Sequence, residues 1–314
     1  MKILSRVLMG LGATLLFLAL LLPTYVDSRV SRAPVDQDSV TVATATGSYY
    51  DFEAGEEVTS DQLVSITRTL SDAEASDDEV AVYEQVSLVN DEGVDGEPHL
   101  VTASDPSPNR IAIHRVTAEV VDCCDLAPAE LTGLVIKWPF GTERRSYPVW
   151  DGTLGQAPEA EYVEDVTVDG IPAYVFRQEI PRTTVDTVEL MDDDGEPFEG
   201  QVIYEATKRY VVEPMTGRIL DSQQEVYRAV ETPTGEVVIP AADLSVQVTD
   251  DTVAENVALA RDDTSQLQLV RTTGPVLVGL LGLLVFAGGV VLLRREIAGD
   301  ERTPRARHAV RAGS

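Results

Sequence analysis

The sequence predicts a mainly β exported domain, two tandem β-rich units with antiparallel sheets, held between two transmembrane α-helices. Three observations predict it. Residues 274–293, GPVLVGLLGLLVFAGGVVLL, form a run of twenty without a charged or hydrogen-bonding side chain. At 1.5 Å per residue such a run spans ~30 Å, the hydrocarbon thickness of a bilayer. A second apolar run opens the chain behind Lys2 and Arg6. Between the two, short alternating stretches rich in Val and Thr recur between Gly, Pro and Asp-Gly turns, and helical periodicity is scarce.

The first apolar run covers residues 7–26, with Tyr25 as an interfacial aromatic. A cleaved signal peptide is its rival. Tyr25, Val26 and Asp27 stand where a small-x-small site would be wanted, so a retained helix is expected. Lys2 and Arg6 flank this helix. Arg294, Arg295, Arg302, Arg305, Arg307 and Arg311 follow the second, against Glu296, Asp300 and Glu301. By the positive-inside rule residues 1–6 and 294–314 are cytoplasmic and residues 27–273 lie outside. Arg29 and Arg32 are a small contrary signal.

The whole chain carries a net charge of −29, and residues 29–273 hold 16 of the 24 basic and 49 of the 53 acidic side chains, a net charge of −33. Such a domain repels nucleic acid and anionic surfaces. The two cysteines are adjacent, Cys123 and Cys124. A bridge between neighbours closes almost no loop and adds little stability. A vicinal bridge acting as a rigid turn, pairing with another chain, and incidental thiols all stay open. The domain must therefore stand on its apolar core.

After a spacer at 27–37, the first β-rich unit is expected at 38–135. Strand candidates fall at 40–46, 63–70, 80–89 and 110–121. The second unit is expected at 136–248. Its candidates fall at 166–168 and 174–176 around Asp169-Gly170, then at 201–213, 218–230 and 236–240. An internal repeat supports the division. Asp95-Gly96-Glu97-Pro98 recurs as Asp194-Gly195-Glu196-Pro197, and at the same offset of 99 residues 111–122 lie over 210–221. Gly217 suits a turn needing positive φ, whereas the first copy has Ala118 there and its turn is expected to be less comfortable. At 249–273 the period changes. Val253, Val257, Ala260 and Leu267 mark one helical face behind Asp250-Asp251, a juxtamembrane helix.

Residues 133–151 join the units and hold both tryptophans. Trp138, Phe140, Arg144, Arg145, Tyr147 and Trp150 could form an aromatic-and-cation surface for a ligand. The structural alternative is a strand–turn–strand whose aromatics fill the space between units and whose arginines pair with carboxylates, and it weighs more. No nucleophile elbow, phosphate loop, HExxH or EF-hand spacing occurs. Asp192-Asp193-Asp194 reads as a solvated turn, and His114 reads as structural. No cofactor and no metal site is expected.

Lys137-Trp138-Pro139-Phe140, Thr142, Tyr147 and Trp150-Asp151, with a helix at each end of the chain and the 253–270 stretch before the last one, resemble an actinobacterial envelope family of unknown function also labelled porin PorA. The resemblance covers nearly the whole chain. It implies an exported domain anchored by two membrane helices, and carries over no catalytic residue. Where relatives have an Asp-Arg-Arg-Thr-Gly-like turn, this chain has His114-Arg115-Val116-Thr117-Ala118, so the resemblance assigns that turn no role. The aromatic content of 6% and the short, acid-broken strands argue against a β-barrel pore in one chain. Gly10 and Thr14 could seat a neighbouring helix in a homo-oligomer. The expectation is a non-enzymatic, membrane-anchored binding, carrier or scaffold module for an envelope lipid or glycan. Its rivals are a subunit of a porin-like channel and an unrecognised hydrolase.

Overall fold

The computed structural model describes residues 2–23, 31–91, 99–100, 109–124, 131–191 and 195–300. Four sequence features lie outside them: the 95–98 copy of the repeated tetrapeptide, Asp192-Asp193-Asp194, residues 24–30 and the tail arginines beyond 300. The chain divides into a helical unit, with boundaries at Ser31 and Ser265, and a β unit, Arg32–Thr264.

In the helical unit, helix α1 spans Lys2–Leu21. Its start lies upstream of the expected residue 7, because Lys2 and Arg6 are good helix formers that need not be apolar. Both α1 and the last helix are long and apolar enough to cross a membrane. They pack through small residues. Ser5, Gly12 and Ala19 recur every seven positions along α1, as Gly282 and Gly289 do in the last helix. A Cβ on Gly12 would lie 2.5 Å from the Phe286 amide nitrogen. One on Gly289 would meet Met9 N at 2.9 Å, and one on Gly282 would meet Leu16 N at 3.0 Å. The two backbones therefore touch, running in opposite directions. Gly10 lies outside this contact and faces open space within the chain, and Thr14 Oγ1 donates back to the Gly10 carbonyl at 3.0 Å.

The β unit is one antiparallel sheet. Its strands are β1 (Asp38–Asp51), β2 (Glu56–Asp72), β3 (Val80–Asp91), β4 (His99–Leu100), β5 (Asn109–His114), β6 (Tyr147–Pro148), β7 (Glu159–Val168), β8 (Ile171–Met191), β9 (Pro197–Glu213), β10 (Arg218–Glu231) and β11 (Val237–Val248). They lie in the order β4-β3-β2-β1-β11-β10-β9-β8-β7-β6, with β5 paired to β3. The two stretches read from the sequence as units thus join along the β1–β11 pairing, from Ala43 opposite Val248 to Tyr49 opposite Ala242.

The sheet rolls. Tyr83 and Ile113, from β3 and β5, share one core with Phe176, Tyr210 and Val212, from β8 and β9, although five strands separate β3 from β8 in the sheet. The twist of strands carries the ends toward each other. Leu134, Trp138, Tyr147 and Val149 from the connecting segment fill the space where they meet.

Helix α2 (Asp250–Gln268) follows β11. Thr249 caps it: its carbonyl accepts the Val253 N–H at 2.9 Å, and its hydroxyl bonds Thr252 and the Val42 carbonyl. Val253, Val257 and Ala260 cover Ile171, Ala173, Val211 and Leu220 of the sheet, on the helical face the sequence marks. A π-helical turn, Leu269–Thr273, leads into α3 (Gly274–Asp300) without a non-helical residue.

The helix pair is directly testable. The Cβ of an Ala19→Cys, Gly279→Cys variant would sit 3.6 Å apart, within disulfide range. That variant is expected to cross-link within the chain, as read by peptide mass mapping. Adding Gly12→Leu is expected to abolish the bridge, whereas adding Gly10→Leu is expected to leave it.

Candidate functional site

Two matching turns frame the connecting segment. In the first, the Ala118 N–H donates to the His114 carbonyl at 2.8 Å. His114 Nδ1 accepts the N–H groups of Val116 and Thr117 at 3.2 and 3.1 Å. In the second, the Gly217 N–H donates to the Glu213 carbonyl at 2.9 Å. The Glu213 carboxylate accepts the N–H groups of Met215 and Thr216 at 2.7 and 2.8 Å. Every one of these partners lies 99 residues from its counterpart. His114 thus does on the first turn what Glu213 does on the second, as an acceptor that closes the turn. Ala118 sits at φ 59° where Gly217 sits at φ 73°. The side chain that was expected to be uncomfortable there does occupy the left-handed region.

The segment 137–142 is held between these turns. Trp138 N–H donates to the Gly217 carbonyl at 2.9 Å, Gly141 N–H to Met215 at 3.2 Å and Thr142 N–H to Pro214 at 2.7 Å. Phe140 N–H donates to Val116, the counterpart of Met215, at 3.1 Å. Lys137 Nζ donates to the Thr216 carbonyl at 2.5 Å and stands 3.7 Å over the Phe140 ring. Burial pulls this ammonium down to about 7, the Arg218 guanidinium adds to the shift, and Asp263 and Glu213 oppose it.

The six aromatic and cationic residues singled out in the sequence converge on this segment but do not share a surface. Trp138 and Tyr147 are 1% and 3% exposed, inside the core, where a ligand cannot reach them. Trp138 packs on Tyr210 and Phe176 with centroids at 4.9 and 5.5 Å. Phe140 and Trp150 are half-buried. Arg144 and Arg145 are exposed, yet both are engaged. Arg144 forms a two-pronged pair with Asp165 at 2.9 and 2.7 Å, above the Tyr174 ring. The hydrogen bond from Arg144 holds the Asp165 carboxyl below the usual range. Arg145 lies over the Tyr147 ring at 4.1 Å, with Glu143 at 3.4 Å.

Asp151, the last residue of the same motif, is 1% exposed. It accepts Lys208 Nζ at 2.6 Å, the Tyr204 hydroxyl at 2.8 Å and the Leu154 N–H at 2.6 Å. Burial alone would raise its carboxyl; the adjacent ammonium and the three donors outweigh burial and hold it below the usual range. This is a charge compensated inside the sheet. The sulfurs of Cys123 and Cys124 are bonded to each other, and Cys124 is exposed at φ 67°. Among the described residues no group of three or more His, Cys, Asp or Glu side chains is placed to hold a metal ion.

The inner face of the rolled sheet is the other feature that could bind. Its cross-strand rows follow from the register. One row holds Ala45, Val246, Gln224, Lys208 and Gln178; the next Gly47, Leu244, Val226, Ala206 and Ile180; the next Tyr49, Ala242, Arg228 and Tyr204. The walls, Tyr49 and Leu63 on one side and Ile180, Tyr204 and Ala206 on the other, are buried. The floor between them, Val226, Leu244 and Val246, is only half-buried. Two open depressions lie on the β8–β9 hairpin, one at the Ile180 and Ala206 wall beside Glu179 and Glu205, the other edged by Glu189 and Glu199. The sequence marked the inward positions by alternation, but alternation alone does not say whether a second layer covers them.

A family model described as Porin PorA matches residues 4–291. No curated protein matches the chain.

A Cβ on Gly217 would fall 2.0 Å from the Trp138 carbonyl oxygen. Gly217→Ala is therefore expected to destabilise by more than ~2 kcal/mol, a left-handed penalty plus displacement of the segment. Ala118→Gly is expected to be neutral or to stabilise by up to ~1 kcal/mol, since relief of the left-handed strain opposes glycine's added chain entropy. Thermal denaturation of each variant checks both. For Lys137 the sign follows from linkage. An unfolded lysine keeps its proton to about 10.5, so between pH 7 and 10 the unfolded chain binds more protons here, and stability rises with pH. Lys137→Met is expected to flatten the rise in melting temperature across that window.

Proposed function

The chain belongs to the Porin PorA family, and from that premise we propose that it is a non-enzymatic, membrane-anchored envelope module that binds a lipid component. Both apolar helices cross the membrane in this reading, with the β unit outside and both ends in the cytoplasm. The charges flanking the helices, Lys2 and Arg6 at one end and Arg294 and Arg295 at the other, support that orientation. The observation that carries the binding reading is the half-covered floor at Val226, Leu244 and Val246. Apolar side chains on the inner face of a rolled sheet ordinarily gain their stabilisation, about 25 cal/mol per Å², by full burial. Left half-covered between buried walls, they form a trough suited to an acyl chain.

Channel formation is the second reading, and family membership favours it. In one chain the helices offer no passage, because Gly12 and Phe286 meet backbone to backbone. Conductance would therefore require several copies around a common axis.

Native mass spectrometry of the full chain released from its own membrane tests the first reading. A copurified lipid of stoichiometric mass, lost in a Val226→Asp, Leu244→Asp variant that keeps its circular-dichroism spectrum, is expected. A lipid-free chain with step conductances in planar bilayers would overturn the binding reading in favour of the channel.

A further inference from the structure

The β unit is strongly acidic, and its cations are spoken for. Arg32, Arg68, Arg110, Arg144, Arg145, Arg177, Arg182, Arg209 and Arg218 each contact a carboxylate. Lys208 pairs with Asp151, Lys137 bonds Thr216, Arg115 bonds Ala33 and Arg261 bonds Asp169. Among the described lysines and arginines of this unit, Arg228 is the one whose side chain makes no hydrogen bond, ion pair or ring contact. In a segment carrying −33, a guanidinium without a carboxylate partner is out of keeping with its surroundings.

Its position is specific. Arg228 stands opposite Tyr204 on one side and Ala242 on the other, and between residues 221 and 231 the β9–β10 register runs without a shift. It therefore shares the inner face with Val226 and Gln224, one row beyond the half-covered floor. The acidic neighbours in sequence register do not reach it: Tyr227 lies opposite Asp243, and both point to the outer face. Of the other ions on the inner face, Lys208 and Asp151 neutralise each other, and Asp91 is buried behind the wall, where it accepts the Tyr49 and Ser60 hydroxyls.

We propose that Arg228 receives the carboxylate of a long-chain fatty acid whose chain lies over Val226, Leu244 and Val246. The assignment rests on the lipid-binding reading above and names the ligand class. A guanidinium presents two parallel N–H donors that match a carboxylate. One guanidinium with no second free cation beside it suits a monoanion rather than a doubly charged phosphomonoester. From the Arg228 row to the Gln224–Val246 row is roughly 13 Å along the strands, room for about ten methylenes of an extended acyl chain, and the remainder of a longer chain would pass beyond the floor. The surrounding carboxylates disfavour any ligand that carries more negative charge than Arg228 removes.

The test uses the full chain in phosphatidylcholine nanodiscs with two photoreactive probes, diazirine-labelled palmitate and the corresponding hexadecanol. Palmitate is expected to label peptides covering 218–248. Arg228→Gln is expected to reduce that labelling about tenfold, the loss of one charge-assisted contact, and Arg228→Lys to restore most of it. Hexadecanol labelling is expected to be weaker and insensitive to Arg228→Gln. Arg228 is exposed, so both variants are expected to keep the native melting temperature. Equal palmitate labelling of the native chain and Arg228→Gln would overturn the assignment while leaving the trough a lipid site. So would displacement by a phosphodiester lipid but not by unlabelled palmitate. Absence of labelling at 218–248 by either probe would overturn the lipid-binding reading as well.

Discussion

The rolled sheet depends on a short segment caught between two turns. Strand twist brings β3 and β5 toward β8 and β9, but twist alone does not fix how far the roll goes. Residues 137–142 fix it by bonding Val116 on one turn and Pro214, Met215 and Gly217 on the other. The turns come from opposite halves of the sheet, so each hydrogen bond to one is useful only while the other is in place. Trp138 occupies the space this creates, wholly buried against Phe176 and Tyr210. A large aromatic there contributes on the order of 3–5 kcal/mol relative to alanine, a sizeable part of a typical domain's net stability. Pro139 and Gly141 let the chain turn sharply around it, and Gly141 adopts φ 69°.

Much of this architecture is legible from residue pattern, and the failures have definable causes. The apolar helices, the alternating strands and the apolar face of α2 are local periodicities, and each one is visible in a window of twenty residues or fewer. The Ala118–Gly217 correspondence was also visible, because turn chemistry constrains single residues. The β1–β11 seam was not. It joins residues about two hundred positions apart, and nothing in Val40-Thr41-Val42 or Leu244-Ser245-Val246 specifies the partner. The role of Glu213 was hidden for a different reason. Among 53 acidic side chains one turn-closing carboxylate does not stand out, and only its alignment with His114 would have marked it.

Charge follows the same logic. A domain with this excess of carboxylates resists compaction through self-repulsion. It offsets that by committing its few cations to local pairs, most of them exposed and individually worth little. The exception in kind is Asp151 with Lys208, where both groups leave water and the attached Tyr204 and Leu154 donors make the burial tolerable. The aromatic-and-cation cluster read from the sequence belongs to this pattern. Arg144 and Arg145 are there to meet Asp165 and Glu143, and the rings beneath them support the core.

Family membership alone suggests a pore, and the geometry limits where one could be. A membrane β-barrel must turn an apolar face outward. The outward face of β1, β10 and β11 carries Thr44, Thr46, Glu225, Ser245 and Gln247, all exposed and polar, with Val40 of β1 as an exposed apolar exception. The rolled sheet is thus built for water outside and apolar contacts inside, the inverse of a lipid-facing barrel. The helices have the opposite polarity, with Phe17, Leu280 and Leu284 exposed around a contact so close that no side chain fits at Gly12, Gly282 or Gly289. Lipid can surround such a pair, but nothing passes through it. Any conducting path must therefore be assembled between chains, from helix faces that one chain leaves uncovered.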